Sequence, residues 1–486
     1  MQSEEIARVI AEVLKRLEKE EFGNVLTAPA AATAPNAAVR SSGDDVLFPS
    51  VDAAVQAARL AQIEFQEQGL EARRNIIRAI RKAAVANAER LAKMAREETG
   101  MGRWEDKVQK NLVCAIRTPG VEDLASRAYT GDLGLTLVEY APYGVVAAIT
   151  PSTNPAATII NNGISILSAG NSVVFAPHPA SFKTCLETMK VLSAAAVAAG
   201  APKSLITTFE KPSQDNTKAL LAHPDARVNM VTGGPAIVKV AMTVGKTCKT
   251  IAAGPGNPPV VVDETANFPK CAQDVIFGAS FDNNVLCTAE KEVIVTEAAK
   301  DRFLSAMRQD PRAYELSLEQ MNQLMSVVIK VGGKGCKDPV LNRDYVGKDA
   351  AVIAKAIGLT LPEGARLLWG VVPNDHALVW TEQLMPVLPV TVVRDVDAAI
   401  ALAVEAEGGH RHTAAMHSTH VGNLTKMGRK MQCSIFVKNA PTLYGLGLGE
   451  GYATMSIGTP TGDGLTKTSH FARPLHCALV GYFRIA

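Results

Sequence analysis

The chain has 486 residues, 47% of them hydrophobic and 20% charged, with a formal net charge of +2. That length supports two or three domains with large cores, and the near-neutral charge argues against nucleic acid or a membrane surface as a partner. Eight cysteines with no CxxC pair and no zinc-type spacing, and apolar runs broken well short of a bilayer's thickness, exclude a disulfide scaffold, a zinc module and a membrane span.

Residues 3–20 stand apart. Ile6, Val9, Ile10, Val13, Leu14 and Leu17 recur at helical spacing among charged residues, which predicts an amphipathic helix rather than a signal peptide. An Ala/Pro-rich stretch follows, so residues 21–45 read as a linker. A helix tethered in this way either packs on its own chain or docks in a partner's groove. Helices are expected at about 52–68, 71–98 and 104–118, and an alternating, strand-like segment at 133–140 suggests an edge hairpin or an oligomer contact.

A βα repeat begins at residue 144. Strands are expected at 144–150, 172–176, 204–209, 228–232 and 259–263, with helices at about 155–169, 181–199, 213–222 and 234–245. Short, nearly all-apolar strands alternating with helices point to a parallel sheet covered on both faces, which binds ligands at its C-terminal strand ends. Those ends carry Thr150-Pro151-Ser152-Thr153-Asn154-Pro155, Ala176-Pro177-His178-Pro179 and Thr232-Gly233-Gly234-Pro235. A second α/β set spans about 260–438, with strands at 389–394, 413–418 and 434–438. Within it, Cys287 lies on a loop between a helical run at 267–280 and a strand at 292–296. Asp282, Asn283 and Asn284 are turn formers placed just before it. A cysteine there is a nucleophile candidate, although a free cysteine is more often a small buried hydrophobe. No GxGxxG follows the first strand, and Ala253-Gly254-Pro255-Gly256-Asn257 does not open a helix. The residues by themselves give a two-domain α/β enzyme with a loop-borne cysteine, with a binding protein as the alternative.

Four segments, in order, resemble those of aldehyde dehydrogenases. Residues 143–155 resemble the oxyanion loop ending in Asn154-Pro155, and Val231-Thr232-Gly233-Gly234 resembles the cofactor turn. Asn284-Val285-Leu286-Cys287-Thr288-Ala289 resembles the nucleophile loop, and residues 382–390 resemble the segment whose glutamate holds the nicotinamide ribose. The resemblance covers about 50–460. It implies two Rossmann-like parallel-sheet domains, at 46–258 and 259–438. It adds a small β oligomerisation element around 130–141 and a 439–486 segment that returns to the nucleotide domain. It implies Cys287 as nucleophile and Asn154 as oxyanion donor. The cofactor NAD would meet Thr150, Pro151, Ser152, Ala176, Pro177, His178, Thr232, Gly233, Gly234, Ala253, Gly254, Glu382 and Pro386, with no metal.

The departures from that pattern narrow the reading. Hydrolytic members carry a glutamate where Ala252 stands here, and without a base water attacks a thioester poorly at pH 7. The sequence therefore resembles the coenzyme A-acylating branch, in which a thiol replaces water. The turn 254–258 and the segment 409–418 also look like that branch. Val238 falls where the last glycine of the cofactor turn would be, and residues 175–179 lack the Lys and Glu that hold the adenosine ribose. Enzymes of this branch in propanediol and ethanolamine microcompartments carry an N-terminal helix and linker, which implies that residues 3–20 dock on a shell protein and that the compartment lumen is the site of action. The expected reaction is oxidation of propionaldehyde with NAD and coenzyme A to propionyl-CoA. The rivals are acetaldehyde as substrate, hydrolysis to the acid, and a non-catalytic scaffold. A homodimer or homotetramer is expected by analogy.

Overall fold

The computed structural model describes residues 3–19, 45–244, 248–482 and 485. The first sheet has six strands in the order Leu47–Phe48, Ile206–Phe209, Ser172–Pro177, Val145–Thr150, Ala226–Thr232 and Lys249–Ala253. All are parallel. Val145–Thr150 and Ser172–Pro177 are buried at every position, as their unbroken apolar sequences require. The chain runs outward from Val145–Thr150 on one side, then returns to its other side at Ala226–Thr232. The crevice between the ends of those two strands, at Thr150 and Thr232, is therefore the topological switch point.

The second sheet has seven parallel strands in the order Ala313–Glu315, Leu367–Val371, Val387–Val393, Glu292–Thr296, Pro259–Val262, Thr413–His417 and Ile435–Lys438. Glu292–Thr296 is central and wholly buried, so the cysteine loop leads directly into the most rigid part of this sheet. The expected strand at 259–263 belongs here and not to the first repeat. The first sheet is closed by Lys249–Ala253, which was not expected because its Lys and Thr interrupt the apolar run.

The expected helix at 71–98 is two helices, Leu70–Ala86 and Ala88–Thr99. The Asn87 side chain donates to Ala83 O at 2.9 Å and the backbone leaves helical geometry there. The tail contains an unexpected nine-residue strand, Ala472–Val480, which pairs antiparallel along Gly134–Pro142; Arg127–Gly131 completes this three-stranded sheet. Its last strand is exposed almost throughout, so no buried alternation marked it in the sequence. The tail also returns to the first sheet's covering helix, Pro155–Ser168. There Asn161 Oδ1 accepts from Met455 N at 3.0 Å; nearer the N-terminus, Lys467 pairs with Asp123 in the turn Val121–Leu124 at 2.6 Å.

The N-terminal helix forms at Ser3–Lys19 and packs on Leu70–Ala86. Ile6 is fully buried, with Ile10, Val13 and Leu14 partly covered. The linker expected at 21–45 lies outside the described residues except for its last position.

Candidate active site

Between the helix Lys270–Ser280 and the central strand, three consecutive non-glycine residues adopt left-handed geometry: Asp282, Asn283 and Asn284, with φ of 47°, 53° and 61°. Asp and Asn tolerate this region better than other side chains, but each residue still costs about 1 kcal/mol. The turn is held from several sides. Asn284 Nδ2 donates to Ala279 O and Glu290 O, both at 2.9 Å, and Asn283 Nδ2 donates to Asp349 Oδ1 at 2.8 Å. The buried Lys291 ammonium donates to Asn284 O at 3.0 Å, to Leu286 O at 2.9 Å and to Asn284 Oδ1. Asp282, fully buried, accepts from Arg103 N at 2.7 Å, from Lys107 Nζ at 3.1 Å and from Lys110 Nζ.

Asn154 stands just beyond Val145–Thr150 and caps the helix Pro155–Ser168. Its Oδ1 accepts from Lys110 Nζ, and its Nδ2 donates to Thr153 Oγ1 at 3.1 Å. The two loops expected from sequence to carry nucleophile and oxyanion donor are thus tied together by one side chain. Lys107, Lys110 and Lys291 were not singled out in the sequence, and Asp282 was read only as a turn former. The one available signal was that Lys107 and Lys110, three apart, share a helix face with Cys114 in Trp104–Arg117.

Burial pushes the Cys287 thiol up to about 12, the Glu382 carboxylate adds to the rise, and Lys291 and Lys110 oppose it. Burial likewise raises Glu382 to about 7, against Lys291 and the Gly256 N–H, and its Oε1 has no hydrogen-bond partner. Gly256 threads between the nucleophile loop and His412: a Cβ there would lie 2.9 Å from both Cys287 O and the His412 ring. Burial lowers His412 to about 3, so its ring is neutral, with Nδ1 2.8 Å from Thr413 Oγ1 and Nε2 buried without a partner.

The residues expected to meet the cofactor fall into three places. Thr150, Pro151 and Ser152, with Thr232, Gly233 and Gly234, lie at the switch-point crevice; Ala253 and Gly254 follow the adjacent strand, where Ala253 pairs with Thr232. Ala176, Pro177 and His178 end the neighbouring strand on the other side, and His178 Nδ1 accepts from Ala180 N at 3.1 Å. Glu382 lies within electrostatic reach of Cys287. Pro386 is buried where Val387–Val393 begins, and its carbonyl accepts from Leu368 N at 3.0 Å. The parallel-sheet switch point is the kind of crevice that takes a nicotinamide dinucleotide, and the buried Glu382 oxygen without a partner is one that ribose hydroxyls would satisfy. Ala252 is a buried strand residue whose N–H donates to Thr461 Oγ1 at 3.2 Å, so no carboxylate is offered from that position. A small apolar cleft, with room for about one water, lies against the nucleophile loop, lined by Lys110, Val113, Leu286, Leu443, Leu446 and Met455 among others.

Residues 41–328 match the aldehyde dehydrogenase family. The chain is 49% identical to the acetaldehyde dehydrogenase (acetylating) EutE of Salmonella typhimurium strain LT2, over 90% of this chain and 93% of that one. Its fold matches a Rhodopseudomonas palustris propionaldehyde dehydrogenase with bound CoA and an acylated cysteine at a TM-score of 0.86 and 45% identity, covering 90% of this chain and 99% of that one. It also matches a propionaldehyde dehydrogenase from the Clostridium phytofermentans fucose utilisation bacterial microcompartment, at a TM-score of 0.87 and 39% identity, with the same shares covered. The chain belongs to the aldehyde dehydrogenase family, in its coenzyme A-acylating branch.

Proposed function

We propose that this chain converts propionaldehyde, NAD and coenzyme A to propionyl-CoA and NADH through a thioacyl Cys287. The observation that carries this reading is Ala252, a buried strand residue where hydrolytic relatives place their water-activating carboxylate.

In this reading Cys287 Sγ attacks the carbonyl carbon, and the oxygen that becomes anionic takes hydrogen bonds from the Asn154 amide and the Cys287 backbone N–H. Removing one such donor typically costs about 3 kcal/mol of transition-state stabilisation. The thiol is protonated at rest, because burial and Glu382 both disfavour the thiolate; Lys291 and Lys110 supply the opposing charge. A bound nicotinamide dinucleotide supplies the hydride acceptor that turns the adduct into a thioester. The proton lost from Sγ as it attacks passes to Glu382, the carboxylate whose charge reaches the thiol and which, at about 7, can hold or release a proton near neutral pH. The coenzyme A thiol then attacks the thioester carbon, the carbon–Sγ bond breaks, and the proton given up by coenzyme A ends on the departing sulfur, which restores the resting Cys287 thiol.

The amphipathic stripe of Ser3–Lys19 supports docking on a microcompartment shell protein and action in the compartment lumen. That docking competes with the helix's packing on Leu70–Ala86, since both use the face that carries Ile6. The outer sheet exposes Tyr129, Leu133, Leu475, Leu479 and Val480, an apolar surface suited to a homodimer or homotetramer.

The test is NADH formation by purified protein with propionaldehyde and NAD, with and without coenzyme A, together with identification of the acyl product. Turnover sustained only with coenzyme A and yielding propionyl-CoA is expected. Equal turnover without it, yielding propionate, would assign deacylation to another base, with Glu382 first in line.

A further inference from the structure

We infer that Lys110, anchored by the buried carboxylate of Asp282, is the positioning residue that sets the orientation of the Asn154 amide. The inference rests on the reading of Asn154 as an oxyanion donor and adds the residue that makes it one. Lys107 and Lys110, three apart on Trp104–Arg117, have side chains only 3% and 4% exposed, and both converge on the same Asp282 oxygen. They divide their remaining donors. Lys107 Nζ reaches Thr153 O at 3.2 Å, a backbone contact, whereas Lys110 Nζ meets Asn154 Oδ1, a side-chain contact.

An ammonium has donors only, and a carboxamide has one accepting and one donating end. Lys110 therefore selects one of the two amide rotamers. The flipped amide would set –NH₂ against –NH₃⁺ in a buried site, with both groups short of acceptors. Fixing Oδ1 on Lys110 turns Nδ2 to the opposite side, where it also meets Thr153 Oγ1 at 3.1 Å. The placement is rigid because Asp282 is itself held by Arg103 N at 2.7 Å, and its own N–H donates to Asp106 at 2.9 Å. Asp106 is in turn paired with Arg366 at 2.6 Å, so its charge is already matched. Two ammonium groups against one carboxylate leave a surplus positive charge beside the Asn154 loop, carried mainly by Lys110 because burial lowers Lys107 to about 8. Such charge, fixed before reaction, favours an oxyanion formed there.

The experiment is a double-mutant cycle on the rate of the first NADH burst in the holoenzyme with propionaldehyde, using Asn154→Ala, Lys110→Met and the pair. Asn154→Ala should slow the burst by about 10²-fold. Lys110→Met should slow it by a comparable factor with the aldehyde KM little changed, and the pair should be no slower than the slower single variant. Lys110→Arg, which keeps a donor for Oδ1, should recover part of the rate. It also serves as the reporter should Lys110→Met fail to fold, because its burst must then show the same non-additivity with Asn154→Ala. Lys107→Met controls for mere loss of a buried charge, and its effect should multiply with that of Asn154→Ala. Multiplying losses for Lys110 and Asn154 would overturn the inference, as would a wild-type burst in Lys110→Met. A wild-type burst in Asn154→Ala would instead overturn the reading of Asn154 itself.

Discussion

Lys291→Met tests whether one buried ammonium holds the nucleophile loop in shape. Methionine keeps most of the volume and removes three hydrogen bonds, to Asn284 O, Leu286 O and Asn284 Oδ1. The loop carries three left-handed residues in succession, about 3 kcal/mol of strain at about 1 kcal/mol each, which those bonds offset. Asn284 Oδ1 loses the one hydrogen bond the structure gives it and stays buried, at a cost of about 1–3 kcal/mol. The two carbonyls lose charge-assisted bonds, and the desolvation relieved by removing the lysine offsets part of that. A net loss of about 3 kcal/mol is expected. It should appear as a lower urea midpoint with unchanged slope. Lys291 also favours the thiolate, so iodoacetamide should alkylate Cys287 more slowly in the variant at a fixed pH near 8 while the loop remains folded. An unchanged urea midpoint together with unchanged alkylation would refute the assignment.

Glu290 gives a pH test. Burial raises its carboxyl from an ordinary 4.5 to about 7, a difference worth about 3 kcal/mol. The proton is held more tightly in the folded chain, so stability present below about pH 4.5 is lost as pH rises through about 7. Glu290→Gln should flatten that part of the urea-midpoint curve between pH 5 and 8, and curves that stay parallel would refute it. Gly256→Ala places a Cβ 2.9 Å from both Cys287 O and the His412 ring, so about 1–3 kcal/mol of overpacking and a lower kcat are expected, read by thermal melts and steady-state kinetics. Deleting residues 1–19 should leave turnover in solution intact and abolish co-sedimentation with shells. Loss of turnover would place the helix's function on the Leu70–Ala86 face it covers.

The first sheet was legible at its centre, where Val145–Thr150 and Ser172–Pro177 are apolar almost throughout; its outer strands, Leu47–Phe48 with two residues and Lys249–Ala253 with polar residues at two positions, were not. Cys287 and Asn154 were proposed as nucleophile and oxyanion donor from motif order, which survives in sequence, whereas the residues that hold their loops were hidden. Charged residues are normally solvated, and beyond the helix face they share with Cys114 nothing local distinguishes Lys107 and Lys110 from the surface lysines of any amphipathic helix. Only the fold brings Asp282 to them from some 170 positions downstream. Glu382 was read as a ribose ligand, but its nearness to the thiol depends on the turn at Gly256, which sequence could name and not place. The strand Ala472–Val480 escaped for the opposite reason, having almost no buried face to read.

That strand also has a consequence in time. Ala472 pairs with Pro142 and Val480 with Gly134, so the sheet joins segments about 330 positions apart. Synthesis delivers residues 127–142 long before residues 472–480, so the two paired segments exist for a time without their third strand. During that interval the Gly134–Pro142 edge is an open template for any extended segment, including the same edge on a neighbouring chain. Closure by residues 472–480 therefore acts as a late checkpoint: it withdraws a sticky edge and in the same step finishes the outer surface, so only chains folded to that point present it.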